Sequence, residues 1–238
     1  MRKIDFILII LVIIIVLGGC KNDAGKIING YTQIGNLKLE QVQIPKVGEE
    51  IAVITTNMGE IKMRLFPEIA PKAVGNFKTL VKKGFYDGIK FTRIEDNFLI
   101  QIGDNPEYPE GKSIFGEFFE DEYDLNYRHI TGSVGLAKKE ANKNHSNFNI
   151  IVQDGIDEEY VEAMKELDEE GYPKDVIKAY EILGGVPRLD LRYTIFAQVF
   201  YGMDTVMAIN KVTTNPVTKE PIEDIIIEKA EIVLYEGK

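Results

Sequence analysis

Between Ile51 and Phe66 two short apolar-rich runs flank a turn, and the period of two in the second admits little but a pair of strands. Ile51-Ala52-Val53-Ile54-Thr55-Thr56 and Glu60-Ile61-Lys62-Met63-Arg64-Leu65-Phe66 flank a turn at Asn57-Met58-Gly59. In the second arm Ile61, Met63 and Leu65 interleave with Glu60, Lys62 and Arg64, the signature of a half-buried antiparallel hairpin. Pro71 then opens a helix, where its missing N–H costs nothing. Val74, Phe77, Leu80 and Val81 give that helix one apolar stripe, and Gly84 ends it. Further short strands are expected near Lys90–Arg93, Asn97–Ile102, Ser133–Ala137, Asn147–Val152 and Tyr193–Phe200. A helix at Met203–Asn210 and a last strand at Ile222–Leu234 complete the pattern. Many short strands with turn signals and two helices predict a mainly β fold, a closed antiparallel barrel with helical plugs.

One stretch breaks this rhythm. Residues 155–187 have helical character, with apolar faces at Tyr160, Val161, Met164 and Leu167 and at Val176, Ile177, Tyr180 and Leu183, separated by Gly171-Tyr172-Pro173. Ten acidic side chains against Lys165, Lys174 and Lys178 leave this stretch at −7, most of the chain's net charge of −10. It reads as an acidic helical hairpin inserted into a β domain, and its place just before Leu189 makes it a candidate groove wall that would favour basic or neutral peptides.

The amino terminus reads as an address. Arg2 and Lys3 precede an unbroken apolar run from Phe6 to Leu17, shorter than the roughly 20 residues of a spanning helix and typical of a signal-peptide core. The tetrad Leu17-Gly18-Gly19-Cys20 resembles the bacterial lipobox and contains the only cysteine of the 238 residues. That resemblance implies residues 1–19 as a lipoprotein signal peptide, lipidation at Cys20, and anchoring to the outer face of the cell membrane. Two or more acyl chains hold a protein there stably where one does not. A plain uncleaved signal anchor is the alternative, and it too puts the domain outside the cytoplasm. Residues 20–48, polar and glycine-containing, are expected as the lipidated cysteine and a flexible stem, with Gln41–Ile44 able to add an edge strand. The folded domain is expected over residues 49–238.

Composition excludes several classes. A net charge of −10 without a basic cluster argues against nucleic acid, whose phosphates demand Lys and Arg. One cysteine permits no intramolecular disulfide and no cysteine-based metal site, and the two histidines, His129 and His145, lack partners at metal spacing. No metal or cofactor is expected.

The stretch Phe91-Thr92-Arg93-Ile94-Glu95-Asp96-Asn97-Phe98-Leu99-Ile100-Gln101-Ile102-Gly103-Asp104 resembles the cyclophilin signature Phe-His-Arg-x-x-x-x-Phe-Met-x-Gln-Gly-Gly-Asp. Other blocks fall in the same order: Pro71–Phe77 resembles the family's first helix, Phe115–Glu122 its Gly-Glu-x-Phe-x-Asp-Glu turn, Thr131–Ala137 a groove-wall strand, and Leu189–Val199 with Gly202-Met203-Asp204 the carboxy-terminal block. The resemblance spans about Glu50 to Leu234 and implies an eight-stranded antiparallel barrel capped by two helices, with peptidyl-prolyl cis-trans isomerase activity. It further implies Arg93 as the catalytic donor, Gln101 orienting it and binding substrate backbone, and Phe98, Leu99 and Leu189 lining a proline pocket. Ala137 and Lys138 fall on the groove wall, and Asn147 takes the place of a family glutamine. Thr92 replaces a histidine, Asn149 stands where a second pocket phenylalanine is usual, Arg188 falls near a common tryptophan, and Tyr193 replaces a histidine.

The chemistry asks for little. Amide resonance holds the X–Pro bond with a barrier near 20 kcal/mol, and localising the nitrogen lone pair lowers it. A guanidinium that donates to the prolyl nitrogen does this and stays protonated at any working pH. The reading is thus an isomerase acting on proline-containing segments of secreted or membrane proteins and assisting their folding, as a monomer. The competing readings are a weakly active proline-peptide-binding chaperone and a surface interaction lipoprotein built on the same barrel.

Overall fold

This computed structural model describes residues 25–109, 111–167 and 171–237. Two short strands, β1 (Ile27–Ile28) and β2 (Tyr31–Thr32), come first. They are followed by β3 (Glu50–Thr56), β4 (Gly59–Leu65) and the helix α1 (Pro71–Lys82). Then come β5 (Phe91–Glu95), β6 (Leu99–Ile102), β7 (Ser133–Leu136) and β8 (Phe148–Ile151). The hairpin helices α2 (Glu158–Glu166) and α3 (Lys174–Leu183) precede β9 (Ile195–Tyr201), α4 (Met203–Asn210) and β10 (Ile227–Leu234).

Eight strands curl in the order β10-β3-β4-β9-β7-β8-β6-β5, all neighbours antiparallel. The barrel closes just ahead of its two end strands, through a bridge between Lys90 and Ile226, with Phe91 N–H donating to the Ile225 carbonyl at 3.0 Å and Ile227 N–H to that of Ile89 at 2.8 Å. The alternation read in the sequence is the reason: Ile61 and Met63 of β4 point inward and are buried, as are Ile54, Ile94, Ile100, Val134 and Ile150 from neighbouring strands. The last strand begins at Ile227 rather than Ile222; residues before it leave the ladder to make the closing bridge and turn contacts, including Ile222 N–H to the Thr213 carbonyl at 2.9 Å.

α1 plugs the barrel. Its Phe77 lies 5.3 Å from Tyr86, 5.7 Å from Phe148 and 5.2 Å from Phe196, centroid to centroid. Each such fully buried aromatic contributes roughly 1.5–3 kcal/mol. α4 follows a tight turn at Gly202, whose φ of +82° and approach to the Glu60 carbonyl (2.1 Å from any added Cβ) admit only glycine.

The acidic hairpin and the expected stem form a second, smaller core. Val161 and Met164 of α2 and Val176, Ile177, Tyr180 and Leu183 of α3 bury against Leu37, Leu39, Val42 and Ile130. Tyr160 and Leu167, expected on the apolar face, are 49% and 60% exposed, because only two positions of α2 meet this core. Residues 37–44 correct the flexible-stem expectation. Glu40–Val42 is a 3₁₀ turn, not an edge strand, and Gln41 is fully buried. Its amide donates to the Arg128 carbonyl at 2.8 Å and to Gln198 Oε1 at 3.0 Å, while its oxygen accepts from Arg128 N–H at 2.8 Å. Three hydrogen bonds on a buried side chain strap this segment to the barrel. The leader and Cys20 lie outside the described residues.

Candidate active site

Strand register builds the site. Arg93 of β5 pairs with Gln101 of β6, Gln101 with Asn149 of β8, and Asn149 with Gly135 of β7. Residues opposite one another in antiparallel strands project from the same face. Their neighbours Ile94, Ile100, Ile150 and Val134 fill the barrel, so this row faces outward. One period further along, Leu99 and Ile151 share that outer face and are covered by Val186, Phe98 and Leu189. The 3₁₀ turn Pro187–Leu189 supplies that cover. The result is a cavity of about 230 Å³ with a polar row at one side and an apolar wall at the other.

Nine of the ten residues expected in or beside the groove line this one cavity: Arg93, Phe98, Leu99, Gln101, Ala137, Lys138, Asn149, Leu189 and Tyr193. Asn147 does not. It lies in an adjoining groove, its side-chain nitrogen donating to Asp104 and its oxygen accepting from Ser146 Oγ at 3.2 Å, so its polar atoms are already engaged. Gln101 sits beside Arg93 by register, but no hydrogen bond joins them among the described residues. The Arg93 guanidinium instead pairs with Glu95, two residues along the same strand. With the arginine side chain 44% exposed, that pair contributes at most about 1 kcal/mol. It sets where the guanidinium rests, and a bound peptide has to compete with it.

His129, Arg188 and Gly135 also line the cavity. The Arg188 guanidinium carbon stands 4.4 Å above the Phe98 ring, a cation–π contact that caps the apolar wall. Gly135 leaves space: an added Cβ would lie 3.2 Å from His129 Nε2. His129 is buried, with Nδ1 3.1 Å from Asp190 Oδ1. Among the described residues the acidic hairpin contributes none to the lining, which corrects its expected place on the groove wall.

Lys138 reaches the cavity from a fixed position. It is ion-paired with Asp121, both side chains being only 4% exposed. Burial opposes ionisation of Asp121, but Lys138, the Asn142 backbone N–H and the Asn144 amide together hold its carboxyl below the usual carboxylate range. A carboxylate depressed in this way stabilises the fold above its unfolded pKa and loses that contribution as pH falls through the lower folded value. The stability difference between wild type and Asp121→Asn should therefore be full at neutral pH and shrink below about pH 4, read from thermal midpoints across an acid series.

Asn149 is the least expected element of the wall. Its Oδ1 is buried with no hydrogen-bond partner among the described residues. An orphaned buried acceptor costs about 1–3 kcal/mol, and leucine has the same branched heavy-atom shape without it. Asn149→Leu should raise kcat/KM for proline peptides about fivefold, roughly the equivalent of 1 kcal/mol. A lower kcat/KM would show that the amide assists the substrate.

Chemically, the cavity offers an apolar seat for a small ring beside a permanently charged, directional donor, with polar groups flanking the adjoining backbone. That is the equipment for rotating a tertiary amide; the signature marked Arg93, Phe98, Leu99 and Gln101 as neighbours of one cavity, and the carboxy-terminal block marked Leu189. Glu95 was missed, although its period-two spacing from Arg93 places it on the same side of the strand.

The family described as cyclophilin type peptidyl-prolyl cis-trans isomerase/CLD matches residues 51–232. A Staphylococcus aureus (strain COL) protein named "Putative peptidyl-prolyl cis-trans isomerase" is 37% identical over 186 residues, covering 78% of this chain and 92% of its own length. A protein of the same name from Staphylococcus saprophyticus is 37% identical over 188 residues, covering 78% and 93%. Among solved structures, a Cryptosporidium parvum cyclophilin type peptidyl-prolyl cis-trans isomerase, determined in the presence of the dipeptide Ala-Pro, superposes with a TM-score of 0.60 at 26% identity, covering 79% of this chain and 99% of that one. The same protein determined in a second crystal structure gives 0.62, at 26% identity, with 78% and 98% covered.

Proposed function

The chain belongs to the cyclophilin-type peptidyl-prolyl cis-trans isomerase family, and on that premise we propose that it accelerates X–Pro rotation in extracytoplasmic proteins at the Arg93 cavity. The observation that carries the reading is the outward row Arg93–Gln101–Asn149 set against the apolar wall of Phe98, Leu99 and Leu189. A prolyl ring seats against that wall while the Arg93 guanidinium donates to its nitrogen, weakening amide resonance as the preceding carbonyl swings past Gln101. The reaction breaks no covalent bond, so the protein's part is orientation and electrostatic stabilisation of the twisted amide.

The lipobox supports a location. Cys20, lipidated after cleavage of residues 1–19, would tether the domain to the outer face of the cell membrane, where secreted chains emerge and prolyl isomerisation is slow enough to limit their folding. Two experiments test this. The soluble domain should shorten the slow refolding phase of a protein limited by prolyl isomerisation, and an unaltered phase would oppose a folding role. In cells, Cys20→Ser should release the domain from membranes or block its processing; unchanged membrane retention and size would overturn lipidation.

Two observations favour the second reading, a weakly active proline-peptide binder. Glu95 already occupies the Arg93 guanidinium, and Asn149 leaves a polar atom in the wall. Both bear on rate rather than on the kind of ligand the cavity accepts.

A further inference from the structure

The cavity opens into two grooves. One, of about 510 Å³, shares Lys138, Arg188, Leu189 and Tyr193 with it and runs on past Tyr123 and Arg192. The other, of about 430 Å³, shares Arg93, Gln101 and Lys138 and runs on to Lys139 and Lys143. Arg93, Lys138, Lys139, Lys143, Arg188 and Arg192 therefore border one continuous surface, with Glu140 and Asp104 as its acidic lining among the described residues. This cationic face belongs to a chain of net charge −10.

The cations are not equivalent. Arg93 is held by Glu95, Lys138 by Asp121, and Lys143 by Glu140 at 2.8 Å. Arg188 and Arg192 are both exposed, and neither has a carboxylate within 4.0 Å among the described residues. Arg188 is fixed instead over the Phe98 ring, with its charge at the rim of the proline seat. Two guanidiniums without an acidic partner among the described residues, on the groove continuing from that seat, make a receptor for a carboxylate supplied by the ligand.

We propose that the site selects prolyl segments carrying an acidic side chain within about two residues, roughly 7 Å of extended chain, of the proline, with that carboxylate meeting Arg188 and Arg192. This rests on the isomerase reading of the cavity and names the substrate class of the same site. It also reverses the expectation drawn from the acidic hairpin. None of the hairpin's described residues lines either groove, and charge that does not face the site is screened by salt over a Debye length of about 8 Å at physiological ionic strength. The local arginines dominate.

The test uses the soluble protein and matched proline peptides that carry Glu, Ala or Lys at each position flanking the X–Pro bond. At low salt, kcat/KM for Glu peptides should exceed that for Lys peptides by about fivefold, the size that two exposed ion pairs support. The ratio should collapse toward one at high salt and in the Arg188→Gln/Arg192→Gln double variant. Equal kcat/KM for Glu and Lys peptides, or a preference the double variant retains, would overturn the proposal. Peptide binding followed by NMR shifts separates this inference from the reading beneath it. Tighter binding of Glu peptides with no turnover of any peptide would sustain the selection and refute isomerisation, whereas turnover of all peptides alike would do the reverse.

Discussion

Asp190→Ala should cost the domain about 3–5 kcal/mol of unfolding free energy, because it strands a buried cation. Arg128 is fully buried, and Asp190, its side chain 4% exposed, is its only acidic partner within 4.0 Å among the described residues, Nε to Oδ2 being 3.6 Å. At that distance Asp190 balances the charge without a hydrogen bond, and buried Nε has no hydrogen-bond partner among the described residues, while Nη1 donates to the Asp124 carbonyl at 3.1 Å, Nη2 to that of Gly171 at 2.8 Å, and the guanidinium lies 5.1 Å from the Tyr172 ring centre. Asp190 in turn accepts from the Tyr180 hydroxyl at 2.7 Å, the Tyr172 hydroxyl at 3.2 Å and the His129 backbone N–H at 2.8 Å. Burial first, then the Asp190 charge, push the Tyr172 hydroxyl up to about 12 and raise that of Tyr180 well above its ordinary value, so both remain donors throughout the working range.

This network joins three parts of the molecule: the hairpin through its two tyrosines, the segment before β7 through Arg128 and His129, and the cavity wall through Leu189, the residue before Asp190. The hairpin thus reaches the site from behind, as a buttress for the Pro187–Leu189 turn. Urea titration of Asp190→Ala should show the full loss. Asp190→Ala combined with Arg128→Met should recover much of it, since removing both members of a buried pair is far milder than removing one. A loss below about 1 kcal/mol in the single variant would mean that Arg128 finds water or another acceptor.

How far the sequence foretold these features follows how local they are. The β3–β4 hairpin, α1 and α4 were legible because each is written in contiguous periodicity: Ile61, Met63 and Leu65 at a spacing of two, Val74, Phe77 and Val81 at helical spacing. The signature made the Arg93 cavity legible for a different reason, since its residues are concentrated in β5 and β6, which pair directly. Gln41 shows the opposite case. Its partners Arg128 and Gln198 lie 87 and 157 residues along the chain, and no local pattern marks a glutamine as buried. The same non-locality hid the role of Leu37, Leu39 and Val42, apolar residues in a polar stretch whose binding surface is the far-off hairpin. The start of β10 was misplaced because Ile222 to Ile227 is apolar enough for a strand, while the barrel there spends those residues on closure. The charge of the hairpin misled as to its place because net charge carries no direction: none of its described residues faces the groove.

On the proposed function, Arg93 turns a proline-binding cavity into a catalyst. Every other part of the cavity, the wall of Phe98, Leu99 and Leu189 and the flanking Gln101, binds ground state and twisted amide with similar groups. The guanidinium alone gains strength as the prolyl nitrogen becomes pyramidal and its lone pair localises. Truncation should therefore fall on kcat rather than on peptide binding. The direct measurement is cis–trans exchange of a proline tetrapeptide catalysed by the soluble domain and by Arg93→Ala. The wild type should accelerate exchange, and the variant should lose at least about tenfold of that rate, about 1.4 kcal/mol of transition-state stabilisation, while still binding the peptide. Equal rates for the two proteins at the uncatalysed level would contradict the account.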